Sequence, residues 1–126
     1  MVVLDSGGLT RLSERSRQAA ALIEALATEG LWPPRVPTPV LVESLRGDPG
    51  KDALVNRFLK TCDVVEEIPE ALARRAALFR TRARTGSAVD AIVVAVAEPG
   101  GLVLTSDKGD LRALAGHARD VRVEPI

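Results

Sequence analysis

The chain has 126 residues, 46% hydrophobic and 27% charged, the balance of one soluble domain with a single core. Its 17 Lys and Arg offset 17 Asp and Glu, so no global field draws it onto nucleic acid or membrane, and a polyanion must be met locally or through a metal. A lone cysteine, Cys62, and a lone histidine, His117, exclude an intrachain disulfide and a multi-histidine zinc site.

Val2-Val3-Leu4 is short, β-branched and bounded by Asp5-Ser6-Gly7-Gly8, which predicts a buried first strand followed by a turn. From about Ser16 to Glu29, apolar residues recur at helical spacing until Gly30 ends the run. Trp32-Pro33-Pro34 is a stiff connector, and Arg35-Val36-Pro37 predicts a brief second strand. Pro39 suits the first turn of a helix carrying Val40, Leu41 and Glu43, expected to stop near Gly47. A further helix is predicted from about Lys51 to Thr61, with Leu54, Val55, Phe58 and Leu59 on one face, and a third strand over Val64 to Ile68.

Pro69 opens a long predicted helix to about Thr85, its core face Leu72, Ala76, Leu78 and Phe79. Gly86 breaks it. Ala88 to Ala97 is apolar except for Asp90, as expected of a buried helix. Pro99-Gly100-Gly101 turns the chain into a fourth strand, Leu102 to Thr105. Leu111 to Ala115 predicts a last short helix and Val121 to Glu124 an edge strand. Short strands alternating with helices predict a single α/β domain over residues 1–126, a three-layer α/β/α sandwich around a short parallel sheet of four to five strands. No apolar run approaches the roughly 20 residues of a membrane span, and no basic-then-apolar leader opens the chain. A cytoplasmic location and no membrane partner are expected.

Carboxylates interrupt the apolar runs at Asp5, Glu43, Asp90 and Asp107. An acid in apolar surroundings is costly to desolvate and needs a partner. Two carboxylates about 4 Å apart repel by roughly 4 kcal/mol at an effective dielectric near 20. A hard divalent cation such as Mg²⁺ or Mn²⁺, bound through carboxylate oxygens and water, removes that repulsion. In open α/β sheets, ligands gather beyond the carboxyl ends of the strands. Asp5 and Asp107 each follow a predicted strand and are expected on one rim, with Glu43 and Asp90 pointing into the same pocket. Singly, each has a plainer role: a turn for Asp5, a solvated helix face for Glu43, helix capping for Asp90 and for Asp107 and Asp110.

Together, Val2-Val3-Leu4-Asp5-Ser6, Val42-Glu43-Ser44-Leu45, Thr85 to Ala95 and Leu104 to Leu111 resemble the PIN-domain nucleases, particularly VapC-like toxin ribonucleases of bacterial toxin–antitoxin pairs. The resemblance covers essentially the whole chain, departing at the compact Glu98-Pro99-Gly100-Gly101. It implies a PIN-like fold and Mg²⁺- or Mn²⁺-dependent endoribonuclease activity. Asp5, Glu43 and Asp90 are then the core catalytic and metal-binding acids, and Asp107 a more variable fourth. Ser6, Ser106 and Asp110 match supporting positions. An RNA substrate, a small antitoxin partner and a homodimer are implied, the dimer drawing on apolar residues around Leu9, Leu12, Val40 and Leu41 unless these simply form core. Arg74, Arg75, Arg80, Arg82 and Arg84 precede Asp90, and Arg80, Arg82 and Arg84 are the candidates for tracking an RNA backbone. The alternative is a non-catalytic PIN-like module that binds RNA or a protein partner. A haloacid-dehalogenase-like enzyme is disfavoured because Gly7 stands where its second Asp belongs, and a receiver domain because Asp63 precedes its strand.

Overall fold

A computed structural model describes residues 1–126. Five parallel strands form one sheet in the order β3-β2-β1-β4-β5, comprising β1 (Val2–Leu4), β2 (Arg35–Pro37), β3 (Asp63–Val65), β4 (Leu102–Thr105) and β5 (Arg122–Pro125). All three residues of β1 are fully buried. A strand covered on both faces needs an apolar side chain at every position, not an alternation. Seven helices cover the sheet: α1 (Ser6–Ser13), α2 (Arg17–Thr28), α3 (Thr38–Ser44), α4 (Ala53–Leu59), α5 (Glu70–Ala83), α6 (Ala88–Ala97) and α7 (Gly109–Ala115). None is long and apolar enough to cross a membrane.

The strand order places the site. From β1 the chain steps to β2 and β3 on one side, then returns to β4 and β5 on the other. Parallel crossovers are right-handed, so α1 to α4 lie on one face of the sheet and α5 to α7 on the opposite face. Packing agrees: α1 contacts α2, α3 and α4, while α5, α6 and α7 contact one another. The direction reverses between β1 and β4, and a crevice opens at the carboxyl ends of strands flanking such a reversal.

Several expected elements shift. Ser6-Gly7-Gly8 is not a turn but the first turn of α1. A Cβ on Gly8 would lie 2.2 Å from the Leu104 carbonyl oxygen, so glycine here permits α1 to press on β4. The helix carrying Glu43 ends at Ser44, short of Gly47. The third strand begins at Asp63 and ends at Val65, so Asp63 lies within it. Leu54, expected on a packed face, is 46% exposed, whereas Phe58 is buried. Leu9, Leu12 and Val40 are fully or almost fully buried. They form core and are not available as a dimer face.

At the opposite end of α6, Glu98 joins the helices of one face. Arg75 donates from Nε and Nη2 to its carboxylate, the shortest contact being 2.6 Å, and the Arg119 N–H donates to Oε1 at 2.9 Å. The Glu98 side chain is 9% exposed, and hydrogen bonds from Arg75 hold its pKa below the ordinary 4.5. A carboxyl whose folded pKa is depressed stabilises the fold above its unfolded pKa, and that contribution fades as pH falls through the folded value. Glu98→Gln should therefore lower the melting temperature at pH 7 and lose less on acidification from pH 5 to pH 3 than the parent. Parallel melting curves would refute this assignment.

Candidate active site

Asp5 leaves β1 and caps α1, its Oδ1 accepting the Gly8 N–H at 2.7 Å. Its other oxygen accepts from the Thr105 hydroxyl at 2.6 Å across the β1–β4 boundary. Thr105 is fully buried. Its Oγ1 also accepts the Asp107 N–H at 3.0 Å and lies 2.9 Å from the Asp107 carbonyl. One hydroxyl proton cannot serve two acceptors fully, and the shorter contact to the charged carboxylate takes it. A single threonine thus ties the Asp5 carboxylate to the backbone of Asp107. Thr105 was not among the residues singled out in the sequence, because threonine ending a strand reads as ordinary β-propensity.

Asp90 sits in the first turn of α6, where its N–H donates to Ser87 Oγ at 3.0 Å. Ser87 is the N-cap of α6, and an acid in the first turn suits the helix dipole. That does not account for the acid's surroundings. Burial raises the Asp90 pKa, and the charges of Asp110 and Asp107 raise it further, against the lowering effect of Ser87. Asp5 is likewise raised, first by burial and then by Asp90, while Thr105 and Gly8 oppose the change. Glu43 is raised by burial, then by Asp90 and Asp5. Asp5 and Glu43 feel the charge of Asp90, and Asp90 feels Asp110 and Asp107, so these acids lie near enough to act on one another.

Asp107 is exposed, and its Oδ1 accepts the Gly109 N–H at 3.1 Å. Asp110 does not cap α7. It accepts the Thr85 hydroxyl at 2.6 Å, joining α7 to the loop between α5 and α6. Ser6 and Ser106 line a polar cleft together with Glu43. No group of three acid, histidine or cysteine side chains is drawn together tightly enough to hold a metal ion as they stand. The set fits a hard divalent cation in kind, since every donor is an oxygen and the charges repel one another. In spacing it is open, partly because both oxygens of Asp5 already hold protein donors.

The arginines of α5 divide. Arg75 is held by the nearly buried Glu98, whereas Arg74 makes only an exposed pair with Glu70. Arg80 and Arg84 line a cleft of about 510 Å³ with Thr81, Thr85 and Gly86, and Arg80 Nε donates to the Gly86 carbonyl at 3.2 Å. Arg82 is exposed on α5 and does not line that cleft.

No protein-family model matches the sequence, and no curated protein matches it. Solved structures do match in shape. One is the VapBC2 structure from Rickettsia felis bound to a DNA fragment from their promoter, with a TM-score of 0.74 and 11% identity over 100% of this chain and 99% of that chain. Another is FitAcB from Neisseria gonorrhoeae, at 0.64 and 19% over 98% and 96%. A third, FitAB bound to the IR36 DNA fragment, gives 0.66 and 20% over 99% and 94%. From end to end, the chain has the PIN-like fold shared with these structures.

Proposed function

We propose that the protein is a Mg²⁺- or Mn²⁺-dependent endoribonuclease and the toxin of a toxin–antitoxin pair. The supporting observation is the raised pKa of Asp5, Glu43 and Asp90, each first by burial and then by neighbouring carboxylates, at the crevice between β1 and β4. A fold does not need to concentrate like charge there; a cation-assisted reaction on a phosphodiester does. A bound divalent ion would supply an acidified water and neutralise charge on the phosphate. Asp5, Glu43 and Asp90 are the residues to hold it, with Asp107 beside them. Thr105 orients Asp5, Ser87 fixes the start of the helix that presents Asp90, and the covering helices keep the Asp5 oxygens from bulk water.

The toxin role also needs a partner. Between α1, α2 and α4 runs a groove of about 320 Å³ lined by Leu12, Ala19, Ile23, Leu54 and Phe58, with Arg15 and Arg57 at its edge. Apolar walls with two arginines among the lining suit an amphipathic helix that also carries acids, and such a helix is the contact proposed for the antitoxin.

The test is direct. The protein should cut RNA with Mg²⁺ or Mn²⁺ and not in EDTA. Thr105→Val should cost about 10–100-fold in activity, as expected when a ligand loses its orienting hydrogen bond. Equal cutting with and without the metal would overturn the reading. The openness of the acid set favours the second reading, a PIN-like module that binds without hydrolysis. Under that reading, divalent ions would leave the melting temperature unchanged.

A further inference from the structure

Beside Glu43 lies a cleft of about 530 Å³ between α1, α3 and the loop after β4, with no hydrophobic residue in its lining. It opens on the acidic rim through Glu43 and Ser106, and Arg11 and Arg46 line it as well. Neither arginine has a strong partner. Arg11 lies 4.0 Å from Glu14, both side chains about half exposed, an arrangement contributing little. Arg46 makes no ion pair at all.

Two further features show that this cleft is built. Asp52 is 5% exposed, yet its carboxylate is spent on main chain, accepting the N–H groups of Arg46, Gly47 and Asp48 at 2.9–3.2 Å. A buried carboxylate is an expensive staple for a surface loop, and what it fixes is the backbone that carries Arg46. Ser44, on the cleft wall, has a buried hydroxyl oxygen with no hydrogen-bond partner. Unmet buried hydroxyls are rare and call for a ligand atom or water.

We infer that this cleft holds the sugar-phosphate backbone of a single RNA strand next to the bond that is cut, with Arg46 and Arg11 on a phosphate and Ser44 on a backbone oxygen. The inference rests on the nuclease reading for the identity of the strand. Backbone, not base, is the target, because the cleft offers cations and hydroxyls but no aromatic or apolar surface on which to stack. Glu14 opposes the phosphate and is displaced from Arg11 when the strand enters. The strand therefore approaches over the face of α1 and α3, not over the α5 arginines on the opposite face.

The experiment measures binding of a fluorescent oligouridylate to the full chain in EDTA, across a salt series. Arg46→Ala should weaken binding and reduce the slope of log affinity against log salt by about 0.7, the value for one single-strand phosphate contact. Arg46→Lys should restore the slope, Glu14→Gln should tighten binding, and Arg122→Ala on β5 should change neither. An unchanged slope in Arg46→Ala, a slope lost instead in Arg80→Ala or Arg84→Ala, or no binding by the parent would each overturn the inference. Because no cutting is measured, the two readings fail separately. If the parent never cleaves RNA but the Arg46 results hold, the cleft stands and the nuclease falls. If it cleaves RNA and Arg46→Ala binds unchanged, the cleft falls alone.

Discussion

Asp90→Asn is expected to lose RNA cleavage and gain thermal stability in the same protein. Loss should exceed the roughly 10–100-fold typical of a residue that merely supports a ligand, because Asp90 is the acid through which the others are coupled. It raises Asp5 and Glu43 and is itself raised by Asp110 and Asp107. The stability gain follows from sign. A carboxyl whose folded pKa lies above its unfolded value favours the fold when protonated, and that advantage is lost as pH rises through the folded pKa. Above that pKa the ionised Asp90 therefore works against folding, and a neutral amide removes both its desolvation and its repulsion. Asparagine keeps a carbonyl oxygen and its main-chain N–H still reaches Ser87. The gain should be about 0.5–2 kcal/mol, the range common for a single stabilising substitution. Asp5→Asn is a less clean probe, since an amide nitrogen would face the Thr105 hydroxyl or displace the Gly8 cap. A melting temperature below the parent's, or cleavage within tenfold of it, would contradict this account of Asp90.

Gly8→Ala should be the most damaging single-methyl change on this face of the sheet. Its Cβ would meet the Leu104 carbonyl oxygen at 2.2 Å and the carbon at 2.9 Å. Both are main-chain atoms of β4, so no rotamer change relieves the clash and α1 must lift. Overpacking of this kind costs about 1–3 kcal/mol, or about 4 °C in melting temperature per kcal/mol at this chain length. The Gly8 N–H also holds Asp5, so activity should fall with stability. Gly7→Ala provides the contrast, because its nearest obstacle is the Ser106 hydroxyl at 2.1 Å, a side chain that can turn away. Comparable melting temperatures for the two variants would mean that α1 does not depend on its seat against β4.

Patterns carried by apolar residues were legible in the sequence. Arg35–Pro37 and Leu102–Thr105 form the strands expected of them, and the Ala88–Ala97 run is the buried helix its composition demands. Propensity misled at Gly7 and Gly8, since glycine signals a turn unless a close neighbour requires its missing side chain. Pairing across the chain was invisible as well. Nothing local marks Glu98 as the partner of Arg75, Asp110 as that of Thr85, or Asp52 as the holder of Arg46. The elements that carry the four acids could be placed because each acid stands where an apolar run stops or starts, and the sheet reversal brings those elements together. How tightly they close is a matter of side-chain spacing, on which sequence is silent.

The Thr105–Asp5 contact joins residues 100 positions apart, and β1 is walled on one side by β4. One Asp5 oxygen finds its partner locally, in the Gly8 N–H, but the other has none until the fourth strand is in place. Non-local closures of this kind come late in folding. The Thr105 hold on Asp5 therefore exists only once β4 has docked beside β1, and the carboxylate gains its fixed orientation with the closing of the sheet.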